Sequence, residues 1–135
     1  MELRVLLLAD YANVAEQKKL NVMGVFGQIY ADQFPAQHPE MYLILQLVAN
    51  PSEYNTTRRV TVQLLDEDAR EHLVDWAQEI QFGEGKSGRR LEHNIILRMA
   101  NVVFPHAGAY QFSVLVDNDH KGDLRLDVVS GRPEA

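Results

Sequence analysis

Residues 109–117 read Ala109-Tyr110-Gln111-Phe112-Ser113-Val114-Leu115-Val116-Asp117. Tyr110, Phe112, Val114 and Val116 alternate with Gln111, Ser113, Leu115 and Asp117. Successive side chains of a strand point to opposite faces, so this period of two predicts a strand with one dry and one wet face. Strands of that kind belong to antiparallel sheets packed on a core.

The same period recurs on both sides of this stretch. Downstream, Leu124, Leu126 and Val128 alternate with Arg125, Asp127 and Val129. Upstream, Val60, Val62 and Leu64 alternate with Thr61 and Gln63. In the run from Met41, Leu43, Leu45 and Leu47 share one face, and Tyr42, Ile44, Gln46 and Val48 the other. Turn chemistry separates the runs at Asn50-Pro51-Ser52, Asp66-Glu67-Asp68 and Asn118 to Gly122. Strands are predicted near residues 2–10, 20–30, 41–49, 57–65, 73–82, 91–103, 109–117 and 123–129. This pattern predicts an all-β fold, a two-sheet antiparallel immunoglobulin-like sandwich of about 7–8 strands. One domain is expected over residues 1–130, with a flexible C-terminal tail at 131–135.

Two segments also fit helix. Tyr11 to Leu20 holds helix formers and is expected as a single turn or a wide loop. Between Asp68 and Ile80, the residues Leu73, Trp76, Ala77 and Ile80 form a helical stripe. The strand reading instead groups Val74, Trp76, Gln78 and Ile80. It is preferred because the segment then closes a hairpin with 57–65.

Phe104-Pro105-His106-Ala107-Gly108-Ala109-Tyr110-Gln111-Phe112 resembles the tyrosine corner of Greek-key sandwiches. That resemblance implies a buried phenol bonded to backbone a few residues upstream. Over a longer span, Leu6-Leu7-Leu8-Ala9-Asp10-Tyr11-Ala12, Lys19-Leu20-Asn21-Val22-Met23-Gly24-Val25-Phe26 and Gln33-Phe34-Pro35 resemble a family of small uncharacterised bacterial β-sandwich proteins. The resemblance implies the fold and carries no catalytic residue.

The 135-residue chain has no cysteine, which excludes disulfides, a cysteine nucleophile and thiolate metal sites. Leu3 to Ala9 is interrupted by Arg4 and ends at Asp10, too short an apolar run for a signal h-region or a membrane span. A cytoplasmic protein with no membrane partner is therefore expected. A net charge of −6 argues against a nucleic-acid partner. The basic cluster Lys86, Arg89 and Arg90 lies among Gly83, Gly85 and Gly88, as in a solvated hairpin loop.

No familiar catalytic pattern is present. None of the serines, Ser52, Ser87, Ser113 and Ser130, lies in a G-x-S-x-G elbow, and Gly85-Lys86-Ser87 lacks the first glycine of a P-loop. Asp117 to Asp123 superficially resembles a calcium loop, yet Lys121 stands where an oxygen ligand belongs. A hairpin turn is the better reading, and no metal or cofactor is expected. The residues that could line a pocket are Asp10, Tyr11 and Asn13 after the first strand, with Glu92 and His93 on a later one. The leading expectation is a non-catalytic protein-interaction or assembly module. The alternative is a small-ligand receptor or enzyme whose site is assembled from such distant polar residues. Val5, Leu7 and Ala9 form a second apolar face on the first strand. Either a second copy of the chain or the chain's own 11–20 or 31–40 segment should cover it.

Overall fold

The computed structural model describes residues 1–86 and 88–133. Ser87, and Glu134 and Ala135 of the expected tail, lie outside the described residues. Nine strands are found among the described residues: β1 Glu2–Val14, β2 Leu20–Val25, β3 Gln28–Ala31, β4 Ala36–Ala49, β5 Thr56–Asp66, β6 His72–Phe82, β7 Leu91–Phe104, β8 Gly108–Val116 and β9 Asp119–Ser130. They form a four-stranded sheet in the order β2-β1-β4-β7 and a five-stranded sheet in the order β3-β9-β8-β5-β6. The larger sheet curls into a half-barrel. There is no α-helix among the described residues; only Glu16–Lys18 and Pro51–Glu53 form 3-10 turns.

The 68–80 ambiguity resolves to strand. β6 pairs antiparallel with β5, setting Trp76 opposite Val62 and Ile80 opposite Arg58. Trp76 and Val74 pack on the core with Ile80 and Phe82. Three expectations need correction. The strand predicted at 20–30 is two, because Phe26-Gly27 turns the chain from one sheet to the other: the Phe26 amide bonds Leu8 O at 2.9 Å and the Asp127 amide bonds Gly27 O at 3.0 Å. The sandwich is not wholly antiparallel, since β3 runs parallel to β9. The 11–20 segment holds the expected single turn only at Glu16–Lys18, and the rest of it is mostly strand. Tyr11–Val14 continue β1, and Gln17 and Lys18 reverse the chain in left-handed conformations (φ 61° and 59°) without a glycine.

The main core lies between the sheets. It contains Leu8, Leu43, Leu45 and Leu47 from one sheet and Val62, Leu64, Phe112, Val114 and Leu126 from the other. A bulge between Leu3 and Val5 shifts the parity of β1, so Leu3, Leu6 and Leu8 all reach this core. A second apolar cluster forms on the outer face of the four-stranded sheet. Ala9, Ala12, Tyr42 and Ile44 are buried there, with Val5, Leu7, Leu20, Val22 and Ile96 packed around them. Ala12, Leu20 and Val22 come from the β1–β2 hairpin. The second apolar face of the first strand is thus covered by the chain's own hairpin.

Gly108 opens β8, and Tyr110 lies buried just after the crossing from β7. Its hydroxyl donates to His106 O at 2.7 Å, and its ring meets Phe104 edge-on at 5.0 Å. Tyr110→Phe removes the donor and leaves that carbonyl unpaired. It should cost about 1–3 kcal/mol of stability, read as a lower urea midpoint at unchanged slope; an unchanged midpoint would show that the bond contributes nothing.

Candidate functional site

The five residues singled out from the sequence fall into two places. Asp10 lies where β1 bends away from β4, with its carboxylate over Gly24: a Cβ on Gly24 would come within 2.5 Å of its Oδ2. Gly24 has φ +71° and so suits that close approach. Tyr11 stands opposite Met23 and meets Tyr42 edge-on at 5.3 Å. Asn13 stands opposite Asn21, whose amide donates to Asn13 Oδ1 at 3.0 Å. Glu92 and His93 lie on β7 opposite Val48 and Leu47, at the far end of β4 from Tyr42. Ala9 stands opposite Tyr42, so Asp10 and Glu92 are about six or seven strand residues apart, on the order of 20 Å. The fold does not bring Asp10 to Glu92 and His93.

Glu92 is paired with Arg4 at 2.8 Å. His93 is half-buried and edge-on to Phe82 at 5.6 Å. Burial pushes its pKa below the ordinary value, and the nearby Lys18 ammonium adds to the shift. With Val14, Lys18 and Asn94 these two residues line an open cleft of about 210 Å³. Behind it runs a relay that the sequence reading missed. Asn94 Nδ2 donates to Lys18 O at 3.0 Å, and Gln46 Nε2 donates to Asn94 Oδ1 at 2.9 Å. The Lys18 carbonyl can only accept, which fixes the orientation of both amides. Gln46 Oε1 is left buried without a partner. The relay ties the hairpin tip to the sheet. Its signal was Gln46, the only strongly polar residue between Met41 and Ala49.

Two further polar clusters lie on the sheet faces. On the smaller sheet, Tyr42 Oη and Arg98 Nε both donate to Glu40 Oε1, at 2.6 and 3.0 Å. The tyrosine hydroxyl and then Arg98 hold the Glu40 carboxyl below its usual range. On the larger sheet, Ser113 Oγ and His120 Nε2 both lie 2.7 Å from Asp123 Oδ1. Burial raises the pKa of this carboxyl, but the bonds from His120 and Ser113 outweigh it and the net shift is downward. In a nucleophilic triad the imidazole stands between hydroxyl and carboxylate. Here the carboxylate stands between them, so the imidazole bonds Asp123 and not the serine.

The calcium-like stretch is the β8–β9 hairpin, with Asp117 and Asn118 both left-handed as a two-residue turn requires. The Asp117 carboxylate accepts from the Arg59 amide at 2.9 Å and from Arg58 Nη1 at 3.1 Å. Among the described residues no three His, Asp or Glu side chains converge as a metal site. In the basic loop, Arg90 pairs with Glu2 at 3.3 Å, and Lys86 and Arg89 turn their carbonyls toward the Tyr54 hydroxyl.

The surface itself is uneven. Six large apolar side chains are exposed among the described residues, and four of them, Tyr11, Val14, Met23 and Val25, belong to the β1–β2 hairpin. Tyr11 is 45 %, Met23 65 % and Val25 58 % exposed. No helix among the described residues is long and apolar enough to cross a membrane.

These features define a two-sheet β protein with open clefts and an apolar surface hairpin. The chain belongs to a family of unknown function, DUF6941, whose match spans residues 4–129. No curated protein matches it.

His38 and His93 are both held below the ordinary imidazole pKa, chiefly by burial. An unfolded chain therefore binds protons at these sites at higher pH than the folded one. Their contribution to stability is complete above about pH 6.5 and is lost as pH falls through the lowered folded values. Proton titration of the imidazole resonances should place both midpoints below 6.5; values at or above it would contradict the burial argument.

Proposed function

We propose that this protein is a non-catalytic interaction module built on an immunoglobulin-like sandwich. Strand order supports the fold assignment. β1, β4 and β7 share one sheet, the β5–β6 and β8–β9 hairpins share the other, and β3 runs parallel to the last strand. The tyrosine-corner bond at the β7–β8 crossing is a further mark of that architecture.

The observation that carries the functional reading is the exposed apolar row on the β1–β2 hairpin. Monomeric proteins scatter such side chains singly, and a cluster marks a contact surface. The cleft beside His93 is open, and Glu92 and Asn94 on its wall are engaged with Arg4, Gln46 and the Lys18 carbonyl. A hairpin that presents Met23, Val25 and Tyr11 is suited to protein recognition, with methionine as an adaptable contact.

Affinity capture tests this with the full chain and with Met23→Glu as paired baits in extract of the native host. The wild type should retain proteins that the variant loses, while both give the same circular dichroism spectrum. Identical retained sets would count against the hairpin as the recognition surface.

A further inference from the structure

We propose that the β2 edge is a homodimer interface, in which β2 pairs antiparallel with β2 of a second copy about a two-fold axis. The proposal rests on the interaction-module reading and names the partner for its hairpin.

An edge strand offers unpaired N–H and C=O groups to any other strand, and proteins block this with charges, proline, bulges or short length. The four sheet edges differ in such protection. β3 has only four residues. β6 carries Asp75 and Glu79 between its inward residues. β7 carries Glu92 and Arg98. β2 is Leu-Asn-Val-Met-Gly-Val, six residues with a left-handed Gly24 (φ +71°) near its end but with neither charge nor proline, and the uncharged stretch continues to Ala31.

Neutrality favours a second copy over a partner of opposite charge. A two-fold pairing sets each residue against the one equally far beyond the axis, so charges of one sign spread along the strand would oppose each other. A neutral strand has no such penalty. Charge lies only at its two ends, and with opposite signs. Lys18 and Lys19 precede Leu20, whereas the Asp10 carboxylate lies over Gly24 near the other end. Antiparallel pairing about Val22 sets Leu20 of one copy opposite Gly24 of the other and Lys19 opposite Val25, so Lys19 comes one residue from Gly24 and the Asp10 carboxylate above it, twice across the axis. With Val22 on the axis, Asn21 of one copy opposes Met23 of the other. The outward apolar side chains of both copies then lie on one face of a continuous sheet that runs through both copies.

Sedimentation equilibrium of the full chain at micromolar concentration tests this. The expected mass is twice the 15.4 kDa of one chain. Met23→Glu should give a monomer with an unchanged circular dichroism spectrum. Lys19→Glu and Asp10→Lys should each weaken the dimer by about tenfold, because the pair occurs twice. The double variant should regain most of the lost affinity, an outcome that requires the two residues to meet across copies. A monomeric wild type overturns the proposal, and so does a dimer indifferent to Met23→Glu or not restored by the double charge reversal. If the wild type is monomeric but extract capture still depends on Met23, the dimer falls and the interaction reading stands. If neither dependence is found, both fall.

Discussion

The structure depends on covering both faces of β4. Residues Met41 to Ala49 are buried without interruption. β1 and β7 flank the strand and satisfy its backbone. Its odd-numbered side chains enter the core between the sheets, and Tyr42 and Ile44 enter the cluster beneath the hairpin. Burying each large apolar side chain contributes about 1.5–3 kcal/mol, so a central strand wet on one side would forfeit much of that gain. The larger sheet covers one face. The other requires a further layer, and β1 provides it by running on past Ala9 and folding back as β2. The length of β1, the bend over Gly24 and the relay from Gln46 to Lys18 all follow from this requirement.

The sequence made most of the architecture legible because alternation survives wherever a strand has one wet face. β5, β8 and β9 are such strands, and their hairpins follow from acidic and asparagine turns. Tyr110 was legible too, since a glycine before an alternating strand and a tyrosine two residues later impose a local geometry. The hairpin layer was harder to read. Tyr11 to Leu20 carries helix-forming residues, and the pairing of Ala12 with Val22 depends on a partner ten residues away. The turn at Gln17-Lys18 takes left-handed conformations that glycine usually supplies, so composition gave no sign of it. The division at Phe26-Gly27 depends on which sheet each half joins, a tertiary choice that periodicity does not encode.

The candidate site was legible in part. Glu92 and His93 lie beside a cleft and Tyr11 in a surface aromatic contact, and the sequence could not place Asp10 far from Glu92. Strand register alone sets that separation. The polar residues that matter most there, Gln46 and Asn94, are adjacent only because β4 and β7 pair in this register. Their bonds hold the hairpin tip to the sheet. Burying Gln46 costs an unpaired carbonyl oxygen, a penalty of about 1–3 kcal/mol that bonds within the relay help to offset.

The outward face of the hairpin is not explained by packing. Covering the sheet fixes Ala12, Leu20 and Val22 as small or apolar, since these face inward. Alternation then leaves Asn21, Met23 and Val25 free to be anything soluble. β6 faces the same constraint at the edge of the other sheet, where Val74, Trp76, Ile80 and Phe82 must be apolar. Its free positions carry Asp75, Ala77, Glu79 and Gln81. Two edges built under one rule thus carry different residues where the rule is silent. Folding stability does not require methionine and valine in water at 65 % and 58 % exposure. Solubility disfavours them, and an unprotected edge adds the hazard of unplanned pairing. A contact that covers them would remove both penalties, which is the physical ground for the proposed interface.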